Sequence, residues 1–241
     1  GRGEIIKSGG NVVKNVTGYD LSKLVCGSYG TLVALTEITF KVLPSPEKSK
    51  TLVLHEQNLE TAIDILNQAV SSSNDISGAV FLPKESKDKD NENTNSIEET
   101  FKLNDLKYGS SYTAIRFEGA GNSIEERIQK LLEELNILNL NISILETYQS
   151  DIFWNKVKNL EMFSLTKNNI FRIVIPPSFC VQLLYQLTSA KFRYYIDWGG
   201  ALIWVDAREL TEEMFDSIRK KVVRNGGYMS CLLYTSPSPR D

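Results

Sequence analysis

Histidine is all but missing from this chain: His55 stands alone among 241 residues. Catalytic zinc and non-haem iron centres take two or three histidines, so no multi-histidine metal site can be assembled from it. A single histidine in a strand-like stretch reads as an ordinary surface or half-buried residue. Cysteine is scarce as well. Cys26, Cys180 and Cys231 lie far apart, which argues against a disulfide framework or a Cys-x-x-Cys zinc knuckle and fits a reducing compartment. No apolar run reaches the roughly 18 residues of a membrane span, and no secretory signal opens the chain. Positive charge is not in excess. Lys and Arg total 27 against 30 Asp and Glu, a net charge of -3. No overall basic field attracts nucleic acid or anionic lipid. The expectation is a cytoplasmic protein with no nucleic-acid partner. The nicotinamide-binding glycine fingerprint and the Lys-Ser/Thr pair of a P-loop are also missing.

What is present is ordinary globular material, with 41% hydrophobic and 24% charged residues, in a length that suits one large domain or two small ones. The densest signal is GGNVVKNVTGYDLSKLVCGSYGTLVALTEITFKVLPSP, residues 9–46. Gly9, Gly10, Gly18, Gly27 and Gly30 mark bends where backbone can approach a ligand closely. LSKLVCG reads as a short helix, and LVALTEITFKVLP as a strand. Between them, Gly27-Ser28-Tyr29-Gly30-Thr31 offers backbone N–H groups and hydroxyls suited to phosphate or ribityl oxygens. From composition alone the same glycines also read as tight turns in an ordinary sheet.

Pro44 and Pro46 suggest a boundary, dividing residues 1–46 from 47–230. Beyond it the element order repeats. TLVLHEQ (51–57) reads as a strand, and Asn58 caps a helix with Leu59, Ala62, Ile63, Leu66, Ala69 and Val70 on one face. ISGAVFL (76–82) and KYGSSYTAIRFEG (107–119) read as strands. Ser123 with Glu126 forms a capping box for a helix, and NISILE (141–146) is the next strand. That order, β-α-β-β-α-β, is ferredoxin-like. A linking helix over 151–162 follows, and the order recurs: strand 169–176, helix 179–189, strands 191–197 and 201–206 across Trp198-Gly199-Gly200, a helix from Thr211 to near Asn225-Gly226, and a strand from Tyr228. The class is α+β, with two such halves sharing an antiparallel sheet and helices over a face. Residues 84–104, KESKDKDNENTNSIEETFKLN, are too polar to offset ordering entropy by burial and read as a disordered surface insertion. Arg172 and Arg193, in strands, suit either a substrate carboxylate or surface salt bridges. Trp198-Gly199-Gly200 reads as a hairpin turn with an anchoring aromatic, or as a wall near a cofactor or a subunit contact.

The segment 9–46 resembles the second half of the FAD domain in the vanillyl-alcohol-oxidase-type (PCMH-type) flavoprotein family. Within that family it looks most like the FAD-binding subunits of glycolate oxidases. The resemblance extends to MFSL (162–165), IFRIVIP (170–176), IDWGGAL (196–202) and RNGGY (224–228). Val33 departs from the pattern, which has glycine there. The resemblance implies the C-terminal part of a PCMH-type FAD-binding domain followed by a cap domain. It implies FAD as cofactor, held by Gly9, Gly10, Lys14, Asn15, Gly18, Tyr19, Asp20, Gly27, Ser28, Gly30, Thr31, Leu32 and Val33. It further implies two-electron oxidation of a small 2-hydroxy acid, and passage of electrons to a second flavin subunit and an iron–sulfur subunit. The complex would be cytoplasmic, or peripheral at the inner face of the cell membrane through those partners. It assigns no catalytic residue. Two alternatives stay open: a non-catalytic FAD-binding scaffold subunit, and a free-standing FAD-linked oxidase of another hydroxy acid or alcohol.

Both ends read as unnatural. GRGEIIKSGG looks like the interior of a strand-and-turn region, so the first half of the FAD domain is expected to precede Gly1. CLLYTSPSPRD, residues 231–241, matches the translation of a transposase sequencing adapter and is set aside as a non-native tail.

Overall fold

The computed structural model describes residues 3–10, 18–28, 30–84, 110–163, 169–188, 192–207 and 211–231. The chain divides into two compact units, Gly1–Ser45 and Pro46–Asp241. Among its described residues the first contains one short helix, α1 (Leu21–Val25), at the position read from the sequence. The strand expected over LVALTEITFKVLP does not form. A strand needs a neighbour for its N–H and C=O groups, and none of the described residues pairs with this segment. Its apolar residues stay open, with Phe40, Val42 and Leu43 at 75%, 79% and 85% exposure.

The second unit is built from β1 (Lys48–His55), α2 (Leu59–Ser71), β2 (Ile76–Leu82), β3 (Tyr112–Gly119), α3 (Gly121–Glu134), β4 (Ile142–Leu145), α4 (Thr147–Lys158), β5 (Asn169–Val174), α5 (Pro177–Thr188), β6 (Arg193–Asp197), β7 (Leu202–Ala207), α6 (Glu212–Arg224) and β8 (Tyr228–Cys231). The eight strands of the described residues form one antiparallel sheet in the order β4-β1-β3-β2-β6-β7-β5-β8. Read from its middle outward, that order is the same on both sides. Two β-α-β-β-α-β halves therefore meet edge to edge, β2 against β6, as the repeated sequence pattern required.

Local chemistry sets the helix ends. The Asn58 carboxamide accepts from Thr61 N at 2.8 Å and starts α2; Thr211 does the same for α6 through Met214 N at 3.3 Å. The capping box read at Ser123 and Glu126 is not used. α3 begins at Gly121 with Ala120 as an uncapped N-cap, because the chain turns out of β3 at Gly119 (φ 142°) directly into helix. Arg127 braces this corner instead, donating to the Glu118 carbonyl at 2.6 Å and the Ser123 carbonyl at 3.3 Å. α4 also starts earlier than read, since Glu146 and Gln149 form a reciprocal capping box.

Strand alternation divides the core between two faces. On one, α2, α3, α5 and α6 cover Leu52, Leu54, Phe81, Ile115, Phe117, Ile173, Ile196 and Ile203 in one cluster that crosses both halves. Each such side chain contributes roughly 1.5–3 kcal/mol when fully buried. On the other, α4 lays Phe153 and Val157 over Val53, Val80, Ala114 and Tyr195. The β2–β6 seam has a single paired position, Phe81 with Ile196. The shared core and α2 hold the halves together there. α2 lies on the Trp198–Gly200 turn so closely that a Cβ on Gly199 would stand 3.2 Å from Val70 Cγ2, and one on Gly200 3.4 Å from Ile63 Cγ2. β8 extends to Cys231, which pairs with Phe171. Main-chain pairing of this kind is indifferent to side-chain identity. Residues 232–241, and 85–104 of the polar insertion, lie outside the described residues.

Candidate functional site

Two places carry chemistry, one in each unit. In the first, Asp20 caps α1 through its carboxylate, accepting from Lys23 N at 3.1 Å and pairing with the Lys23 ammonium at 3.1 Å. The backbone hydrogen bond from Lys23, reinforced by its ammonium, holds the Asp20 carboxyl below the usual carboxylate range. After α1 the chain reverses. Ser28 N donates to the Val25 carbonyl at 3.1 Å, and the Ser28 carbonyl accepts from Thr31 N (2.9 Å) and Thr31 Oγ1 (2.6 Å). Gly27 (φ 81°) and Gly30 (φ 77°) bracket this turn in the left-handed region, which side chains resist. No atom lies within 4 Å of where their Cβ atoms would be, so the glycines serve the backbone path and leave a bare surface beside it. Gly9 and Gly18 share the conformation, at φ 80° and 82°. Gly10, Tyr19, Leu32 and Val33 are exposed, Tyr19 almost fully at 93%. Lys14 and Asn15 lie outside the described residues.

In the second unit, α4 covers the first half of its sheet face and reaches into the second as far as Tyr195 on β6. Beyond its edge opens a cleft of about 380 Å³, walled by Trp154, Tyr195, Trp198 and Trp204 and furnished with Arg116, Asp151, Lys158, Arg172 and Asp197. Register explains the assembly: Tyr195 pairs with Trp204 on β6 and β7, and Arg172 pairs with Trp204 on β5 and β7. Arg172 projects between two rings, its guanidinium carbon 5.2 Å from the Trp198 centroid and 5.6 Å from that of Tyr228. It donates to the Tyr228 hydroxyl at 2.7 Å. Arg172 does not make the surface salt bridge that is one reading of the sequence: none of the ion pairs among the described residues includes it. Arg193 is drawn away from the cleft and donates to the Met162 carbonyl at 2.8 Å. Trp198 sits at φ 52°, a strained value for a bulky residue, with its N–H held by the Asp197 carboxylate at 2.7 Å. Burial pushes the Asp197 carboxyl up, partly offset by that hydrogen bond. Burial, with the Asp197 charge, also pushes the Tyr195 phenol up, and its hydroxyl donates to the Val157 carbonyl at 2.9 Å.

His55 is buried at 1% exposure, beyond the half-buried placement expected, since β1 lies inside the sheet. Its Nε2 meets Ser143 Oγ at 2.7 Å, and its ring stands edge-on to Tyr112. Among the described residues no three His, Cys, Asp or Glu side chains cluster as metal ligands, and no helix is long and apolar enough to cross a membrane. The sequence reading singled out Arg172 and Trp198 but missed Trp154, Tyr195, Trp204 and Tyr228. Strand parity puts 195 and 197 on one face and 202 and 204 on one face; only the inter-strand register makes these the same face.

The fold is shared with solved structures of low sequence identity. An alkyldihydroxyacetonephosphate synthase superposes with a TM-score of 0.50 at 15% identity, over 87% of this chain and 45% of that one. In sequence, the chain resembles the glycolate oxidase subunit GlcE of Escherichia coli (strain K12), at 30% identity over 229 residues, 94% of this chain and 50% of that protein. It is also similar to the glycolate oxidase subunit GlcD of Bacillus subtilis (33% over 129 residues, 54% and 26% of the two chains) and to a D-lactate dehydrogenase of Anaerostipes hadrus (44% over 66 residues, 27% and 14%). The chain thus spans about half the length of the first of these relatives. No family model matches it.

Proposed function

We propose that this chain is part of the FAD-binding subunit of a glycolate-oxidase-type complex that oxidises small 2-hydroxy acids and hands electrons to a second flavin subunit and an iron–sulfur subunit. The observation that carries the reading is the similarity to GlcE along nearly the whole chain. The geometry of the glycine turns agrees with it. Gly27–Val33 and Gly9–Asp20, including Lys14 and Asn15, would hold FAD. Left-handed glycines with open space at their Cβ positions let backbone amides come within hydrogen-bond range of oxygens, and Ser28 and Thr31 add hydroxyls. When bound, FAD supplies the two-electron acceptor. The complex would work in the cytoplasm, at the membrane's inner face where its partners lie there.

A second reading, a non-catalytic FAD-binding scaffold, is favoured by His55. The chain's sole imidazole is buried against Ser143, so it offers substrate no general base. The test is Gly30→Leu in the product of the complete gene, with flavin measured by absorbance after gel filtration. Loss of FAD with unchanged far-UV circular dichroism supports the site; full retention refutes it. Reduction of the wild-type flavin by 2-hydroxy acids, glycolate and mandelate included, separates the catalytic from the scaffold reading.

A further inference from the structure

All three tryptophans of the chain line one cleft, and Arg172, which has no carboxylate partner among the described residues, stands among them. We propose that this cleft binds a small monocarboxylate with an apolar, ring-sized body, and that Arg172 is the anchor for its carboxylate. The proposal rests on the 2-hydroxy-acid reading above and sharpens it to acids with a bulky side chain.

The charges in the cleft are unequal in their freedom. Arg116 is committed: its Nη2 reaches Glu118 at 2.9 Å and Asp151 at 3.4 Å, and its Nε donates to Ser49 at 3.1 Å. Asp151 is thereby occupied, and Asp197 accepts from Trp198 N. Arg172 has spent one N–H on the Tyr228 hydroxyl. A guanidinium has five donors in a planar fork that matches a carboxylate. Trp198 and Tyr228 flank it and limit its rotamers, so it is already oriented before a ligand arrives. Lys158, also on the wall, adds positive charge. The cleft is thus cationic in a chain whose net charge is -3.

Size and lining choose the rest of the ligand. At about 30 Å³ per water molecule, 380 Å³ corresponds to roughly a dozen waters. A two-carbon acid displaces few of them. The indoles of Trp154 and Trp204 and the Leu202 side chain offer an apolar wall where a ring would displace the remainder.

Because every tryptophan is in the cleft, tryptophan emission of the full chain reports binding directly. It would be titrated with mandelate, phenylacetate, glycolate and benzyl alcohol. Mandelate and phenylacetate should give saturable changes, glycolate should bind at least tenfold more weakly, and benzyl alcohol should not saturate. Arg172→Gln should weaken mandelate roughly tenfold or more, as loss of a charge-assisted bond does. Tyr228→Phe, which only frees the guanidinium's orientation, should weaken it by about threefold; it carries the test should Arg172→Gln not fold by circular dichroism. Equal binding of benzyl alcohol, no saturable change with either aryl acid, or unchanged affinity in well-folded Arg172→Gln overturns the anchor. Glycolate binding as tight as mandelate overturns the bulky-acid assignment. The function proposed above fails separately: a complete gene product without flavin would sink that reading while mandelate titration still judges the cleft.

Discussion

Gly78→Ala is the sharpest test of how α4 is seated. Gly78 lies in β2 at an irregularity in its pairing with β3, and the Trp154 ring lies flat against its missing side chain. An added Cβ would stand 2.8, 2.9 and 3.1 Å from Trp154 Cη2, Cζ3 and Cζ2. Ordinary contact begins near 3.4 Å, so the ring must retreat by about 0.6 Å. Little freedom exists for that. Trp154 Nε1 donates to Thr51 Oγ1 at 2.8 Å, Thr51 Oγ1 and Ser49 Oγ both bond Ser150 Oγ at 2.7 and 2.8 Å, and Arg116 lies 5.9 Å above the indole. Thr51, Ser49 and Ser150 are fully or almost fully buried. Weakening the indole bond costs about 0.5–1.5 kcal/mol, and overpacking about 1–3 kcal/mol. Replacing glycine in a strand returns about 0.5–1 kcal/mol. The expected net destabilisation is about 1–3 kcal/mol. Urea denaturation followed by far-UV circular dichroism measures it. In a Trp154→Leu background the penalty should vanish or reverse, because nothing then fills that space. A Gly78→Ala protein as stable as the parent, with Trp154 in place, would refute the packing argument.

Further outcomes follow from buried titratable groups. Burial pushes the Cys180 thiol up to about 12, so a thiol reagent at pH 8 should label exposed Cys26 and leave Cys180 untouched until denaturant is added, as peptide mapping would show. The same shift leaves stability unaffected below the ordinary thiol value of 9.0 and erodes it as pH climbs from there towards 12. Asp197 has a folded-state pKa raised by burial, so its ionisation opposes folding above the ordinary carboxyl range. Asp197→Asn keeps the acceptor for Trp198 N, and it should raise the thermal midpoint at pH 7 while leaving it unchanged at pH 3.

The sequence by itself determined the repeat, the element types within it and the class of fold. Apolar periodicity, the caps Asn58 and Thr211, and the breaks at Gly226 and Trp198-Gly199-Gly200 are local, and local chemistry decides them. The glycine turns at Gly27 and Gly30 were legible for the same reason, because a positive φ leaves its mark on residue choice. Other features depend on distant parts of the chain. The start of α3 was misread because Arg127 and the turn at Gly119, rather than Ser123, close that corner. The strand read over 32–44 had the right alternation but, among the described residues, no partner to pair with. The cleft was the least legible feature. Trp154 comes from a helix, Trp198 from a turn, and Arg172, Tyr195 and Trp204 from three strands. Alternation tells which residues of one strand share a face, but only the hydrogen-bonded register between β5, β6 and β7 brings those faces together. The length of α4 then decides where the cover stops and the cleft opens.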